Sequence, residues 1–155
     1  MSNLPSPIAT DDSALELVRI FERCTEILQS TGLDDQFAAT LRPRPVSDLA
    51  EDPIILAMYN RGWDDWTAGI NLVHSSTKGI RTRSLSELEY MELLDLHLRT
   101  RILLEREGGL SNVFERVWAI VGLFSMDKIR NSPILWAAYT RGWDDHRNES
   151  DLDFN

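Results

Sequence analysis

Apolar side chains recur at helical spacing in two stretches of the chain, and each stretch follows a Ser-x-x-Glu pattern at Ser13 and at Ser84. In the first stretch the shared face is formed by Leu15, Val18, Phe21 and Leu28. In the second it is formed by Leu88, Met91, Leu98 and Ile102. The Ser-x-x-Glu pattern is typical of a capping box. We predict two amphipathic helices that turn these faces to the core and end at Gly32 and at Gly108–Gly109.

A second pattern occurs twice almost unchanged. Residues 53–65 read PIILAMYNRGWDD, residues 133–145 read PILWAAYTRGWDD, and nine of the thirteen positions are identical. Asp52 and Ser132 are good N-caps, and each is followed by a proline at the first helical position. Glycine costs about 1 kcal/mol in a helix interior. Its presence at Gly62 and Gly142 therefore predicts that the two helices cross closely there.

The rest of the chain extends this repeat into two similar units. Weaker similarity upstream predicts tandem units at about 11–75 and 84–149, a basic linker at 76–83, and flexible termini at 1–10 and 149–155. No segment alternates like a strand. We predict an all-α fold, a single helical bundle of two pseudo-symmetric units formed by internal duplication, in one domain covering 1–155. Residues 112–125 are apolar on nearly all sides, which predicts a buried central helix.

Composition excludes several classes of protein. Hydrophobic residues make up 43% and charged residues 26%, as in ordinary globular proteins. Cys24 is the only cysteine, so no intrachain disulfide forms. The first twelve residues do not resemble a signal peptide, and no apolar run is long enough to cross a bilayer. We therefore expect a cytoplasmic protein without membrane contact.

The net charge of −9 disfavours two kinds of partner. Direct binding to nucleic acid or to anionic lipid requires a surplus of positive charge. We expect no nucleic acid, no membrane and no cofactor among the partners.

The repeated carboxylates define an alternative, catalytic hypothesis. Asp64, Asp65, Asp144 and Asp145 lie on two helices and could hold Mg²⁺ for phosphate hydrolysis. All-helical nucleotide pyrophosphohydrolases use Glu-x-x-Glu and Glu-x-x-Asp pairs in this way. Residues 89–92 match the first form by letter, but no second pair follows downstream. Adjacent aspartates also point about 100° apart on a helix, so both rarely face one metal ion.

The favoured interpretation makes the repeated residues structural or interaction residues. They are Tyr59, Arg61, Gly62, Trp63, Asp64 and Asp65, with Tyr139, Arg141, Gly142, Trp143, Asp144 and Asp145 in the second copy. Each arginine can reach an aspartate three or four residues later on its own helix, or the carboxylates of the other copy. Pairing with arginine makes a carboxylate a poor general base, so such pairing would count against the hydrolase.

On this basis the sequence favours a non-catalytic helical module that binds another protein and forms a homodimer. A special form of this hypothesis is an acidic inhibitor that occupies the nucleic-acid groove of its partner, as small phage-encoded inhibitors do. Exposed charged segments are the predicted partner contacts, namely Lys78, Arg81, Arg83, Glu149, Asp151 and Asp153. His146 and Glu149 form at most a two-residue ligand pair, which is weak support for zinc.

Overall fold

All of the regular structure in the described part of the chain is helical. The computed structural model describes residues 5–41, 43–49, 51–67 and 83–153, with side chains described between Ser13 and Glu149. Within these ranges there is no strand, which confirms the predicted all-α class. The helices are α1 (Pro5–Thr31), α2 (Asp34–Leu41), α3 (Val46–Leu49), α4 (Pro53–Asp65), α5 (Glu87–Arg106), α6 (Leu110–Val121), α7 (Met126–Arg130) and α8 (Pro133–Asp153).

The helix boundaries follow from local chemistry. Asp52 Oδ1 accepts hydrogen bonds from the amides of Ile54 at 2.9 Å and Ile55 at 3.2 Å, and Pro53 opens α4 as predicted. The hydroxyl of Ser132 accepts from the Leu135 amide at the start of α8. Gly32 adopts a φ of 74°, the left-handed conformation that favours glycine, and ends α1.

Two other predicted helix starts are wrong. Ser13 lies inside α1, which already begins at Pro5, and its hydroxyl donates to Glu107 Oε2 at 2.9 Å. The second capping box is formed two residues later than expected. Ser86 accepts from the Glu89 amide and Glu89 accepts from the Ser86 amide. Ser84 lies before the helix. A capping box is therefore present, as predicted, but it begins at Ser86 and not at Ser84.

The centre of the bundle is the pair α4 and α8, which pack along each other. Helix α6 packs on α1 and α4, α2 packs on α8, and α5 packs mainly on α1. Helix α8 continues to Asp153 and α1 starts at Pro5, so both segments expected to be flexible termini include helix. None of the helices within the described ranges has the length and apolar character needed to cross a membrane.

Helix α6 is less buried than its sequence suggested. Only Val113, Val117 and Val121, four residues apart, are fully buried. Phe114, Trp118 and Ile120 are half-buried, and Leu123 is 86% exposed beyond the helix end. The prediction of a helix buried on all sides at 112–125 is therefore wrong. One valine face enters the core between α1 and α4, and the remaining apolar side chains lie at its margin.

Helix α5 presents a different face to the core from the one predicted. Its buried residues are Leu96 and Leu103. The face assigned to the core from sequence points outward, with Leu88 80% exposed and Met91, Leu98 and Ile102 each more than half exposed. Both sides of this helix carry leucines, so spacing alone could not identify the side that meets α1.

Helix order is the same in the two halves of the chain. A long helix, two shorter ones and a repeat helix run from α1 to α4 and again from α5 to α8. The halves differ in helix length and in packing, since α1 packs along α6 whereas α5 makes no comparable contact with α2. The internal duplication therefore stays a prediction.

The one-sided burial of α6 can be tested with two truncations. Val117→Ala removes two buried methyl groups and should lower the free energy of unfolding by about 2 kcal/mol. Leu123→Ala, a larger truncation at an exposed site, should change it by less than about 0.5 kcal/mol. Urea unfolding of both variants gives the comparison. A larger loss in Leu123→Ala than in Val117→Ala would contradict the orientation described above.

Candidate functional site

The two repeat helices touch at their glycines. A Cβ placed on Gly62 would lie 1.9 Å from the carbonyl oxygen of Tyr139, and one on Gly142 would lie 1.9 Å from the carbonyl oxygen of Tyr59. No side chain can be accommodated at such distances, so only glycine permits this contact. The predicted crossing is present, with the same residue of the opposite copy in contact on each side.

The approach brings each repeated tyrosine onto an aspartate of the other copy. Tyr59 donates its hydroxyl hydrogen bond to Asp145 Oδ2 at 2.7 Å, and Tyr139 donates to Asp65 Oδ2 at 2.8 Å. Burial is the main cause that raises the pKa of Tyr139 to about 12, and the bond to Asp65 adds to it. Burial and then the bond to Asp145 raise the pKa of Tyr59 in the same direction. Two carboxylates of the candidate site are thus occupied by structural hydrogen bonds.

The repeated arginines close the ends of helices from the opposite half of the chain. Arg61 Nη1 donates to the carbonyl oxygens of Phe124 at 2.6 Å and of Val121 at 3.3 Å, where α6 ends. Arg141 Nη1 donates to the carbonyl oxygens of Leu41, at 2.9 Å, and of Arg44, where α2 ends. A cation is favoured at a helix C-terminus because the final carbonyls lack partners and the helix dipole is negative there.

Each arginine also lies near the second aspartate of its own copy. Arg61 Nε is 3.8 Å from Asp65 Oδ2, and Arg141 Nε is 3.4 Å from Asp145 Oδ2. Each of these two carboxylates therefore has a tyrosine from the other helix and an arginine from its own. This is the arrangement that counts against the hydrolase hypothesis.

The first aspartates of the two pairs lie elsewhere. Asp64 is exposed, and Asp144 Oδ1 is 3.5 Å from Arg147 Nη2. Among the residues that the structure describes, no group of three or more His, Cys, Asp or Glu side chains is placed to hold a metal ion. In residues 89–92, Glu89 pairs with Arg83 and Glu92 pairs with Arg23. The bond from Arg83, with that from Ser86, lowers the pKa of Glu89 to about 2.

An aromatic cluster extends the crossing toward the end of α4. The His146 ring stacks on Trp63, with ring centroids 4.5 Å apart, and Trp66 meets Trp143 edge-on at 6.3 Å. Since His146 occupies the position of Trp66 in the repeat, these two contacts correspond to each other. His146 Nδ1 lies 2.5 Å from the carbonyl oxygen of Trp63, in the last turn of α4. The histidine ring therefore lies against that helix end.

The predicted partner contacts fall in different environments. Lys78 and Arg81 lie outside the described residues. Arg83 is exposed and forks onto both carboxylate oxygens of Glu89 at 2.8 Å. Glu149 is exposed on α8. Asp151 and Asp153 belong to the last turns of α8, and their side chains lie outside the description.

Comparison with protein-family models, curated proteins and solved structures gives no significant match.

Three features of the structure were not predicted from the sequence. They are the tyrosine-to-aspartate bonds between copies, the arginines at helix ends of the opposite half, and the exposed apolar side of α5. The repeated order Tyr-x-Arg-Gly-Trp-Asp-Asp contained a usable signal for the first. Tyrosine and the second aspartate are six residues apart, and a close antiparallel crossing at the intervening glycine brings one beside the other. The other two depend on long-range packing.

The glycine contact predicts the sign of a substitution. In an open helix, Gly→Ala gains up to about 1 kcal/mol of helix propensity. Gly62→Ala and Gly142→Ala should instead each lower the free energy of unfolding by about 1–3 kcal/mol, because a backbone oxygen occupies the place of the methyl group. Thermal and urea unfolding measure the change. A stabilised variant at either position would show that the helices are farther apart.

The bonds between copies predict a dependence on alkaline pH. The folded pKa of Tyr139 is raised above the value near 10 of an unfolded tyrosine. Its stabilisation is therefore complete below about pH 10 and is lost as the pH rises toward 12, because the unfolded state then releases its proton first. Tyr139→Phe should cost about 1–2 kcal/mol at pH 7 and should flatten the loss of stability above pH 10.

A double-mutant cycle isolates this contact. Tyr139→Phe and Asp65→Ala, measured singly and together by urea unfolding, should be less than additive because both remove the same hydrogen bond. Tyr90→Phe is the matched control, since Tyr90 is an exposed tyrosine of α5. Additive losses in the Tyr139–Asp65 cycle would remove the cross-copy bond from the account.

Proposed function

We propose that this protein is a non-catalytic helical module that acts by binding another protein and that associates with a second copy of itself. The observation that carries the proposal is an apolar surface on α5, which we call the α5 stripe. It consists of five side chains that are each more than half exposed, namely Leu88, Met91, Leu94, Leu98 and Ile102. Single exposed apolar residues are common on monomers, whereas a row along one helix is typical of an interaction surface.

Charges around the stripe favour a second copy in antiparallel orientation. The first half of α5 exposes Glu87 and Asp95, whereas the second half exposes three arginines and one carboxylate, namely Arg99, Arg101, Arg106 and Glu105. Asp95 and Arg99 also pair along the helix at 3.2 Å. Two such helices side by side in opposite directions place the acidic half of each against the basic half of the other. Parallel helices would place like charges together. A two-fold dimer is also the commonest assembly of identical chains.

The size of the surface bears on the strength of the dimer. Helix α5 has 20 residues. It is therefore about 30 Å long and 10–12 Å wide, which offers roughly 300 Å² per protomer. Standard stable interfaces bury about 800 Å² per partner. We therefore expect a dimer that dissociates in the micromolar range, which leaves the same face available to another protein.

The acidic inhibitor is the narrower form of this proposal, with the cytoplasm as its compartment. The net charge of −9 supports an acidic surface that a basic groove would attract. Several carboxylates are already matched by arginines, as Glu89, Glu92 and Glu107 are, and this reduces the likeness to a row of phosphates. The metal-dependent hydrolase has less support, since Asp65 and Asp145 accept tyrosine bonds.

The dimer predicts a defined response to charge and polarity on α5. Light scattering across a concentration series should show the mass rising from one chain toward two. Leu98→Glu should keep the mass at one chain, because it buries a charge in the centre of the apolar contact. Asp95→Arg should also weaken association, and Asp95→Arg combined with Arg99→Asp should restore it, since the swapped charges again face each other.

Gln36→Glu is the matched control, because it adds the same charge on the exposed side of α2 and should leave association unchanged. A single-chain mass at every concentration would contradict the dimer. The binding-protein proposal itself is tested by assaying a nucleotide panel with Mg²⁺ or Mn²⁺. Turnover that disappears in Asp64→Ala or Asp144→Ala would overturn it in favour of the hydrolase.

A further inference from the structure

A cavity of about 420 Å³ lies between α1, α2 and α5, with α3 and the start of α4 at one end. Its walls are mainly apolar side chains from six helices, among them Phe21, Leu28, Phe37, Leu49, Ile55 and Leu93, with Ile134 from α8. Protein interiors are close-packed, and few voids exceed the size of a water molecule. A cavity of this volume falls within the range of about 300–1,000 Å³ that is usual for small-molecule sites.

The cavity occupies the place where the two halves of the chain differ most. Helices α1 and α6 pack along each other, and the valine face of α6 fills the space between them. The corresponding helices on the other side are α5 and α2, which make no comparable contact. Phe37 and Leu41 of α2 and Leu93 of α5 line the gap instead. One side of the bundle is thus closed by protein, and the other retains an apolar space.

Charges at the cavity are nearly balanced. Arg44 and Arg101 line it together with Asp48, Glu51 and Asp52, and Asp52 is occupied by the amides at the start of α4. With two arginines against three carboxylates, this set gives no net attraction for an anion. His97 and Thr100, three residues apart on α5, are hydrogen-bonding groups beside the apolar wall. The Thr100 hydroxyl donates to the Leu96 carbonyl oxygen at 3.2 Å, so it is left as an acceptor for a ligand.

We propose that this cavity binds a neutral, mainly apolar small molecule that carries one polar group. The apolar walls take the body of the molecule, and His97 and Thr100 bind its polar end. An engineered apolar cavity of about 150 Å³ is enough to bind benzene, so a space of 420 Å³ accommodates a molecule with two or more rings or a comparable chain. This site is independent of the α5 stripe, which lies on the opposite side of the same helix.

Cys24 provides a reporter inside the cavity. It is the only cysteine of the chain and forms part of the wall. Burial raises the pKa of its thiol to about 11, so the thiolate is scarce and alkylation is slow at neutral pH. A bound molecule would cover the sulfur and slow the reaction further.

The test uses the full chain and the neutral fluorescent probe N-phenyl-1-naphthylamine. We expect saturable binding of one probe per chain, and alkylation of Cys24 by iodoacetamide at pH 9 that slows at least about fivefold at saturation. Leu93→Trp, which fills the cavity, should weaken probe binding by about tenfold or more. Leu123→Trp makes the same change at an exposed site away from the cavity and should leave binding unchanged.

Other outcomes have definite meanings. Unchanged Cys24 alkylation at saturating probe overturns the proposal, even where Leu93→Trp fails to fold. Binding lost in Leu98→Glu but kept in Leu93→Trp would place the probe on the α5 stripe and also overturns it. Equal affinity for the anionic probe 8-anilinonaphthalene-1-sulfonate would refute the neutral class of ligand.

Discussion

The main chains of α4 and α8 meet at Gly62 and Gly142, and much of the remaining structure depends on this contact. With no side chain at either position, each helix lies against a tyrosine carbonyl of the other. The approach places each tyrosine hydroxyl within hydrogen-bonding distance of the opposite aspartate. It also directs each arginine to the end of a helix from the other half, α6 for Arg61 and α2 for Arg141. A single steric condition therefore positions four helices.

The same contact engages the second aspartate of each repeated motif in a bond between the copies. Asp65 and Asp145 act as hydrogen-bond acceptors that join the two copies, and the neighbouring arginines compensate their charge. A general base or a metal ligand needs a carboxylate that is open to a cleft. The repeated order Tyr-x-Arg-Gly-Trp-Asp-Asp can thus be understood as a packing motif. Apart from the first aspartate, each named residue of the motif has a partner in the crossing or in the aromatic cluster.

What could be predicted from the sequence was set by local chemistry. The caps at Asp52 and Ser132, the stop at Gly32 and the crossing at the two glycines depend on residue types at fixed spacing. The orientation of α5 could not be predicted, because both of its sides carry apolar residues that could face the core. Leu96 and Leu103 lie on one side, and Leu98 and Ile102 lie on the other. The burial of α6 could not be predicted either, because this helix carries more apolar side chains than can be buried between α1 and α4. The orientation of α5 and the burial of α6 both depend on which helices pack against them, and those helices come from distant parts of the chain.

Helix α5 is where the likeness between the halves fails, and this failure links the two proposed surfaces. Its counterpart α1 is covered by α6 along one side, whereas α5 has no such cover from α2 and packs mainly on α1. An amphipathic helix with only one neighbour leaves apolar area on its other sides. On α5 that area takes two forms, the cavity toward α2 and the stripe toward solvent. The departure from symmetry between the halves therefore accounts for both the cavity and the exposed stripe.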